Sequence, residues 1–142
     1  MKTYDVLEVS RYIIAKGCCV SNLKLQSLLY FVQAYFLLDS DGKSGCFSEG
    51  IEAWDFGPVV PKAYREYKRY GSGNIPLHNY REDSRIIRED REKIDAVVAE
   101  FANYSTTWLM DLPQHQDPWT TAYRPYKRNE ITLESIFNYF KE

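Results

Sequence analysis

Cysteine and histidine are scarce in this chain, and their scarcity closes off several chemistries. Three cysteines in 142 residues, two of them adjacent at Cys18 and Cys19, do not make a disulfide framework. Such usage points to a reducing, cytoplasmic compartment. The two histidines, His78 and His115, stand far apart, and neither a C-x-x-C pair nor an H-E-x-x-H string occurs, so no metal centre is expected. Cys18 and Cys19 fall where a helix should end, and a helix C-terminus does not lower a thiol pKa as an N-terminus does. They read as buried or rim residues.

Other absences narrow the function further. No apolar run reaches the roughly 18 residues of a membrane-spanning helix. The opening residues, Met1 to Glu8, carry acids where a secretory leader needs an uninterrupted apolar stretch. No G-x-S-x-G elbow occurs, and no glycine-rich loop runs into a helix to cradle phosphate. Gly71-Ser72-Gly73-Asn74 reads as a linker, while Asp39 with Asp41 and Glu82 with Asp83 are ordinary solvated carboxylates. No catalytic residue and no cofactor are therefore assigned, and the expectation is a non-enzymatic protein. Basic excess is missing as well: 18 Lys and Arg against 20 Asp and Glu give a net charge of −2, which argues against direct nucleic-acid binding.

Aromatic residues are what the chain has in plenty, with 12 Tyr, 7 Phe and 3 Trp. Tyr suits a surface that is apolar on one side and wet on the other. The aromatic load fits a Tyr-rich core with hydroxyls at its rim, or an aromatic surface for a partner.

Hydrophobic periodicity supplies the fold class. Val6, Val9 and Ile13 recur at helical spacing within residues 3–17, with Thr3 as the cap and Gly17 as the stop. A second helix, capped by Ser21 or Asn22, carries Leu25, Leu28, Leu29, Phe31, Val32, Tyr35, Phe36 and Leu38 on nearly every face. A helix apolar all round needs cover on all sides, which makes it the centre of the core. After a Gly/Ser/Asp loop, Ile51 to Trp54 alternates weakly and reads as a short strand or extended crossing. Pro58 and Pro61 then set a corner, with Pro61 at the first turn of a helix reaching Tyr70. Further helices are expected from about Asp90 to Asn103, after Ser105, and after Thr132. Pro118-Trp119 is read as a turn or short helical piece. The expectation is one mostly α domain over residues 1–142: a compact bundle of about six helices around a central apolar helix at residues 21–38. At most two or three short β-strands and no separate DNA-binding domain are expected.

Two regions have the composition of contact surfaces. Lys62, Arg65, Lys68 and Arg69 share one broad face of the helix after Pro61, with Glu66 interleaved. They fit either a solvated face or an electrostatic half-interface for an acidic partner. Arg81, Arg85, Arg88, Arg91 and Lys93 are matched by neighbouring acids and read as a solvated mixed-charge stretch. Trp108 and Trp119 flank a compact segment containing His115; each Trp is either a core plug or an interface anchor.

Leu23 to Phe31 (LKLQSLLYF), Ile51 to Tyr64 (IEAWDFGPVVPKAY), and Pro118-Trp119 followed by Ile131 to Ile136 with Tyr139-Phe140 resemble the Panacea antitoxin domain. This is the SocA-like group that includes phage-associated GepA-like proteins. The resemblance covers nearly the whole chain, and the E-A-W-x-x-G-P-V-V-P string is its most specific part. It implies a mostly helical scaffold in which Leu25, Tyr30, Trp54, Gly57, Pro58 and Pro61 are structural. It also implies a protein that neutralises a cognate toxin by protein–protein contact in a toxin–antitoxin pair or prophage. Two other roles use the same scaffold: a phage-encoded inhibitor of a host defence effector, of the anti-CRISPR type, and an adaptor delivering a bound toxin to a protease. A homodimer is a further partner to consider. The partner contact is placed on Tyr64, Arg65, Tyr67 and Lys68, and on Trp108, His115 and Trp119. One departure stands out: the family's usual Thr-His ahead of the Pro-Trp turn is Pro113-Gln114 here. If that pair holds the turn, this chain must hold it otherwise.

Overall fold

The computed structural model describes residues 3–16, 19–77 and 85–142. Gly17, Cys18, His78, Arg81, Glu82 and Asp83, each named above, lie outside the described residues. The first helix, α1 (Val6–Lys16), buries Val6, Val9 and Ile13 as its period requires. It is capped by Asp5 and not by Thr3: the Asp5 carboxylate accepts the Leu7 N–H at 2.7 Å. The expected start fails because Tyr4 pairs elsewhere. Its N–H donates to the Cys46 carbonyl at 2.8 Å, and it forms a parallel bridge with Phe47.

Helix α2 (Asn22–Asp39) is central, as its all-round apolar pattern predicts; 14 of its 18 residues are buried. The Ser21 hydroxyl caps it, accepting the Lys24 N–H at 3.2 Å. Its cover is not complete, since Tyr35 and Leu38 stand 41% and 42% exposed. Around it pack α3 (Pro61–Tyr67), α4 (Arg88–Phe101), α5 (Thr106–Asp111) and α7 (Leu133–Phe140). The seventh helix among the described residues, α6 (Asp117–Ala122), is the short piece predicted at Pro118-Trp119 and packs on α7. Ser105 and Thr132 cap α5 and α7 through their hydroxyls. Helix α4 begins two residues ahead of the expected Asp90, because the Tyr4 hydroxyl accepts the Ile87 N–H there at 3.3 Å.

Three short strands, β1 (Ile51–Trp54), β2 (Gly57–Val59) and β3 (Glu130–Ile131), form an antiparallel sheet in the order β2-β1-β3. Gly57, at φ +124°, occupies backbone space that side chains rarely enter, and it closes the hairpin. Pro61 sits in the first turn of α3, whose last turn tightens to a 3-10 turn over Lys68–Tyr70 before Gly71.

Polar side chains on α2 tie the irregular segments to the core. Asn22 Nδ2 donates to the Tyr64 carbonyl at 3.1 Å, and Gln26 Oε1 accepts the Val60 N–H at 2.9 Å. One turn on, the Tyr30 hydroxyl donates to Gln116 Oε1 at 2.9 Å. Gln33 Nε2 donates to the Phe47 carbonyl at 2.8 Å, and its Oε1 accepts the Cys46 N–H at 2.7 Å. These four residues, at spacings of four, four and three, make one polar stripe along an otherwise apolar helix. Each satisfies backbone or side-chain groups that burial would otherwise strand.

Candidate functional site

Strand alternation decides which side chains of β1 face outward. Ile51 and Ala53 point into the core, while Glu52 and Trp54 stand half-buried on the other face. Trp54 is therefore not a core residue. Its indole N–H donates to Glu52 on the same face at 2.8 Å. Its ring meets Tyr64 of α3 edge-on at 5.0 Å and Phe56 of the hairpin turn at 5.9 Å. The Arg128 guanidinium lies over it, 4.3 Å from the ring centre, where the π-face attracts a cation.

The segment around α6 braces this cluster. Trp119 Nε1 donates to the Trp54 carbonyl at 2.9 Å, and the Trp119 ring stacks on Tyr123 at 4.4 Å. Tyr123 in turn donates its hydroxyl to Asp55 in the hairpin turn, and that bond raises the Tyr123 pKa. The Pro113-Gln114 departure is accommodated nearby. Gln114 Nε2 bonds the Met110 carbonyl at 3.0 Å, and the buried Gln116 anchors the turn to Tyr30.

Of the residues placed in a contact surface from sequence, Tyr64 and Trp119 meet at Trp54. Arg65 and Lys68 are exposed on α3 and its extension and hold no ion pair among the described residues, whereas Lys62 bonds Asp5 and Glu49 at 3.0 and 3.2 Å. Those bonds raise the Lys62 pKa; Asp5 is held low, first by the Leu7 N–H and then by Lys62. Arg69 lies 3.6 Å from Glu66. Tyr67 is buried and faces the core, so its ring is part of the frame. Trp108 is 47% exposed and stacks on Tyr104 at 4.4 Å, in a second aromatic pair apart from the Trp54 cluster. His115 is exposed and bonds Asp111 one turn back at 3.1 Å. Leu25 and Tyr30 are fully buried, and Gly57, Pro58 and Pro61 shape the corner leading into α3.

Sequence reasoning missed Phe56, Tyr123, Tyr126 and Arg128. Arg124, Tyr126, Lys127 and Arg128 lie in an exposed loop with three cations and no acid, a signal present in the sequence and passed over. Beside the cluster, Glu49, Glu52, Lys62, Arg65 and Glu130 line an open groove of about 260 Å³. Its mixed charges suit polar contact with a macromolecule better than enclosure of a small ligand. Among the described residues no group of acidic, His and Cys side chains is arranged to hold a metal, and no helix is long and apolar enough to cross a membrane.

Residues 25–120 match the family described as "Antitoxin SocA-like, Panacea domain". The chain belongs to this family. A stretch of 76 residues is 46% identical to "Antitoxin SocA" of Caulobacter vibrioides (strain NA1000 / CB15N), covering 49% of this chain and 38% of that protein. The alignment thus spans well under half of that relative's length. No solved structure matches the chain. Trp54, Tyr64 and Trp119 fall inside the family match, and the Arg124–Arg128 loop falls just beyond it.

Proposed function

We propose that this protein is a cytoplasmic, non-enzymatic antitoxin that binds a partner toxin and masks it by direct contact. The observation that carries this reading is the half-exposed cluster of Trp54, Phe56 and Tyr64 beside Arg65 and Lys68, exposed cations with no ion pair among the described residues. Trp, Tyr and Arg are the residue types that dominate binding energy at protein interfaces. A cluster fixed by Trp119 and by α2 loses little freedom when a partner covers it. Family membership supports the antitoxin role, and the setting we propose for it is a toxin–antitoxin pair or a prophage.

The test is co-expression with the product of the adjacent gene. The expected result is a stable complex and rescue of growth, with the toxin's lifetime unchanged, since masking does not consume it. Charge reversal at Arg65 and Lys68 should weaken the complex and leave the thermal unfolding of the free protein unaltered. A neighbour that is neither bound nor neutralised would overturn the reading. Unchanged affinity after charge reversal would remove these two residues from the contact.

A further inference from the structure

We infer that the loop from Tyr123 to Asn129, with Tyr126 at its tip, is a docking arm for an acidic segment of the partner protein; the inference builds on the toxin-binding reading above. Tyr126 is 102% exposed, at φ +64°, with Pro125 before it. The Lys127 N–H donates to the Arg124 carbonyl at 3.1 Å, which closes a β-turn with Pro125 and Tyr126 at its centre. Pro followed by a residue of positive φ is the pattern of a type II turn, in which the second position calls for Gly or Asn. A tyrosine there is strained, and no hydrogen bond or ring contact among the described residues offsets the strain. Its ring is held out in water by a turn that would form more easily without it.

The arm is nonetheless fixed at both ends. Tyr123 stacks on Trp119 and bonds Asp55, while Asn129 Nδ2 donates to the Ala122 carbonyl at 2.9 Å. The Asn129 carbonyl accepts the Ala53 N–H at 2.8 Å, and Arg128 lies over Trp54. The exposed ring therefore stands on a firm base next to the aromatic cluster. Arg124, Lys127 and Arg128 give this loop three cations and no acid in a chain whose net charge is −2, and none of them is in an ion pair among the described residues. Charge complementarity selects an acidic occupant. A short acidic segment fits the three-cation turn, whereas an extended phosphate backbone would run on past it over Glu52, Asp55 and Glu130 on the neighbouring sheet and turn.

The full chain, labelled for NMR, is titrated with three probes: a short peptide rich in Glu and Asp, its Lys counterpart, and a single-stranded oligonucleotide. The acidic peptide should move the Arg124 to Asn129 amides and the Trp54 indole, in a salt-dependent way, and the Lys peptide should not. Tyr126→Gly should weaken this binding about tenfold or more while leaving the melting temperature equal or higher, a split that a structural role for the ring does not produce. Arg124→Glu with Lys127→Glu should abolish it. Equal binding of both peptides, capture of the oligonucleotide alone, or undiminished binding by these variants would overturn the proposal. The two readings fail separately. If the variants neutralise the toxin as well as the natural chain does, the arm is wrong and the toxin-binding reading stands. If no neighbouring toxin is neutralised but the acidic peptide still seats on the loop, the arm survives without it.

Discussion

Trp119 donates its indole N–H to the backbone carbonyl of Trp54 across 65 positions of sequence, at 2.9 Å. The bond joins the hairpin to α6, and the Trp54 ring stays outside the core while its backbone is locked. The same tie sets where the loop carrying Arg128 begins, because Tyr123 ends the helix and stacks on Trp119.

Trp119→Phe keeps most of the stacking surface and removes the donor. A partly buried carbonyl left without its partner costs about 1–3 kcal/mol. Urea denaturation should give a lower midpoint at unchanged slope, and an unaltered midpoint would show the bond to be dispensable.

Gln33 and Gly45 form a second tight relationship. A Cβ at Gly45 would sit 2.7 Å from the Gln33 amide, which is already fixed by the backbone of Cys46 and Phe47. Gln33→Leu strands those backbone groups and should cost roughly 1–3 kcal/mol. Gly45→Ala, which forces the amide aside, should cost about as much. The double variant should lose less than the sum, because removing the amide also removes the clash. Strict additivity in chemical denaturation would contradict this geometry.

Glu52 and Glu130 stand directly opposite each other on β1 and β3. Like charges at such a pair destabilise, and Glu130→Lys should recover about 0.2–1 kcal/mol. The gain should shrink in high salt, since both groups reach solvent. A loss of stability at low salt would mean that groove cations outweigh the pair.

Alkaline pH should unfold the protein ahead of what an average tyrosine content implies. Burial, with the bond to Asp90 second, pushes Tyr4 from its ordinary 10.0 to about 12. Its folded pKa is raised, so its stabilising contribution is complete below pH 10 and drains away as pH climbs to about 12. Burial raises Tyr30 and Cys46 in the same direction. Tyr4→Phe should lower stability at neutral pH by losing the 2.6 Å bond to Asp90, and should flatten the decline between pH 10 and 12. Equal slopes in the two proteins would exclude Tyr4 as a source.

The readable parts of this sequence are those governed by local rules. Ser21, Ser105 and Thr132 cap helices where a hydroxyl precedes an apolar period, and Pro61 opens its helix because its missing N–H is no loss there. The central place of α2 follows from apolar residues on every face. What escaped depends on distant chain. Thr3 lost its cap role to Asp5 once Tyr4 was drawn into a pairing with Phe47. Nothing near Trp108 or Trp119 says that one would stack on Tyr104 and the other donate its indole N–H to the hairpin. The run of cations around Tyr126 was legible, but its positive φ was not: the turn it occupies normally announces itself with glycine, and here that signal is absent.

The polar stripe of Asn22, Gln26, Tyr30 and Gln33 separates two sets of positions in one short chain. It grips the segment before α3 and the turn before α6 by backbone groups and by one buried glutamine, and leaves Arg65, Lys68, Tyr126 and Lys127 free to vary. A lineage could therefore exchange one adversary for another by changing side chains that the fold never consults. A laboratory library randomised at those four positions should be rich in folded members with new affinities.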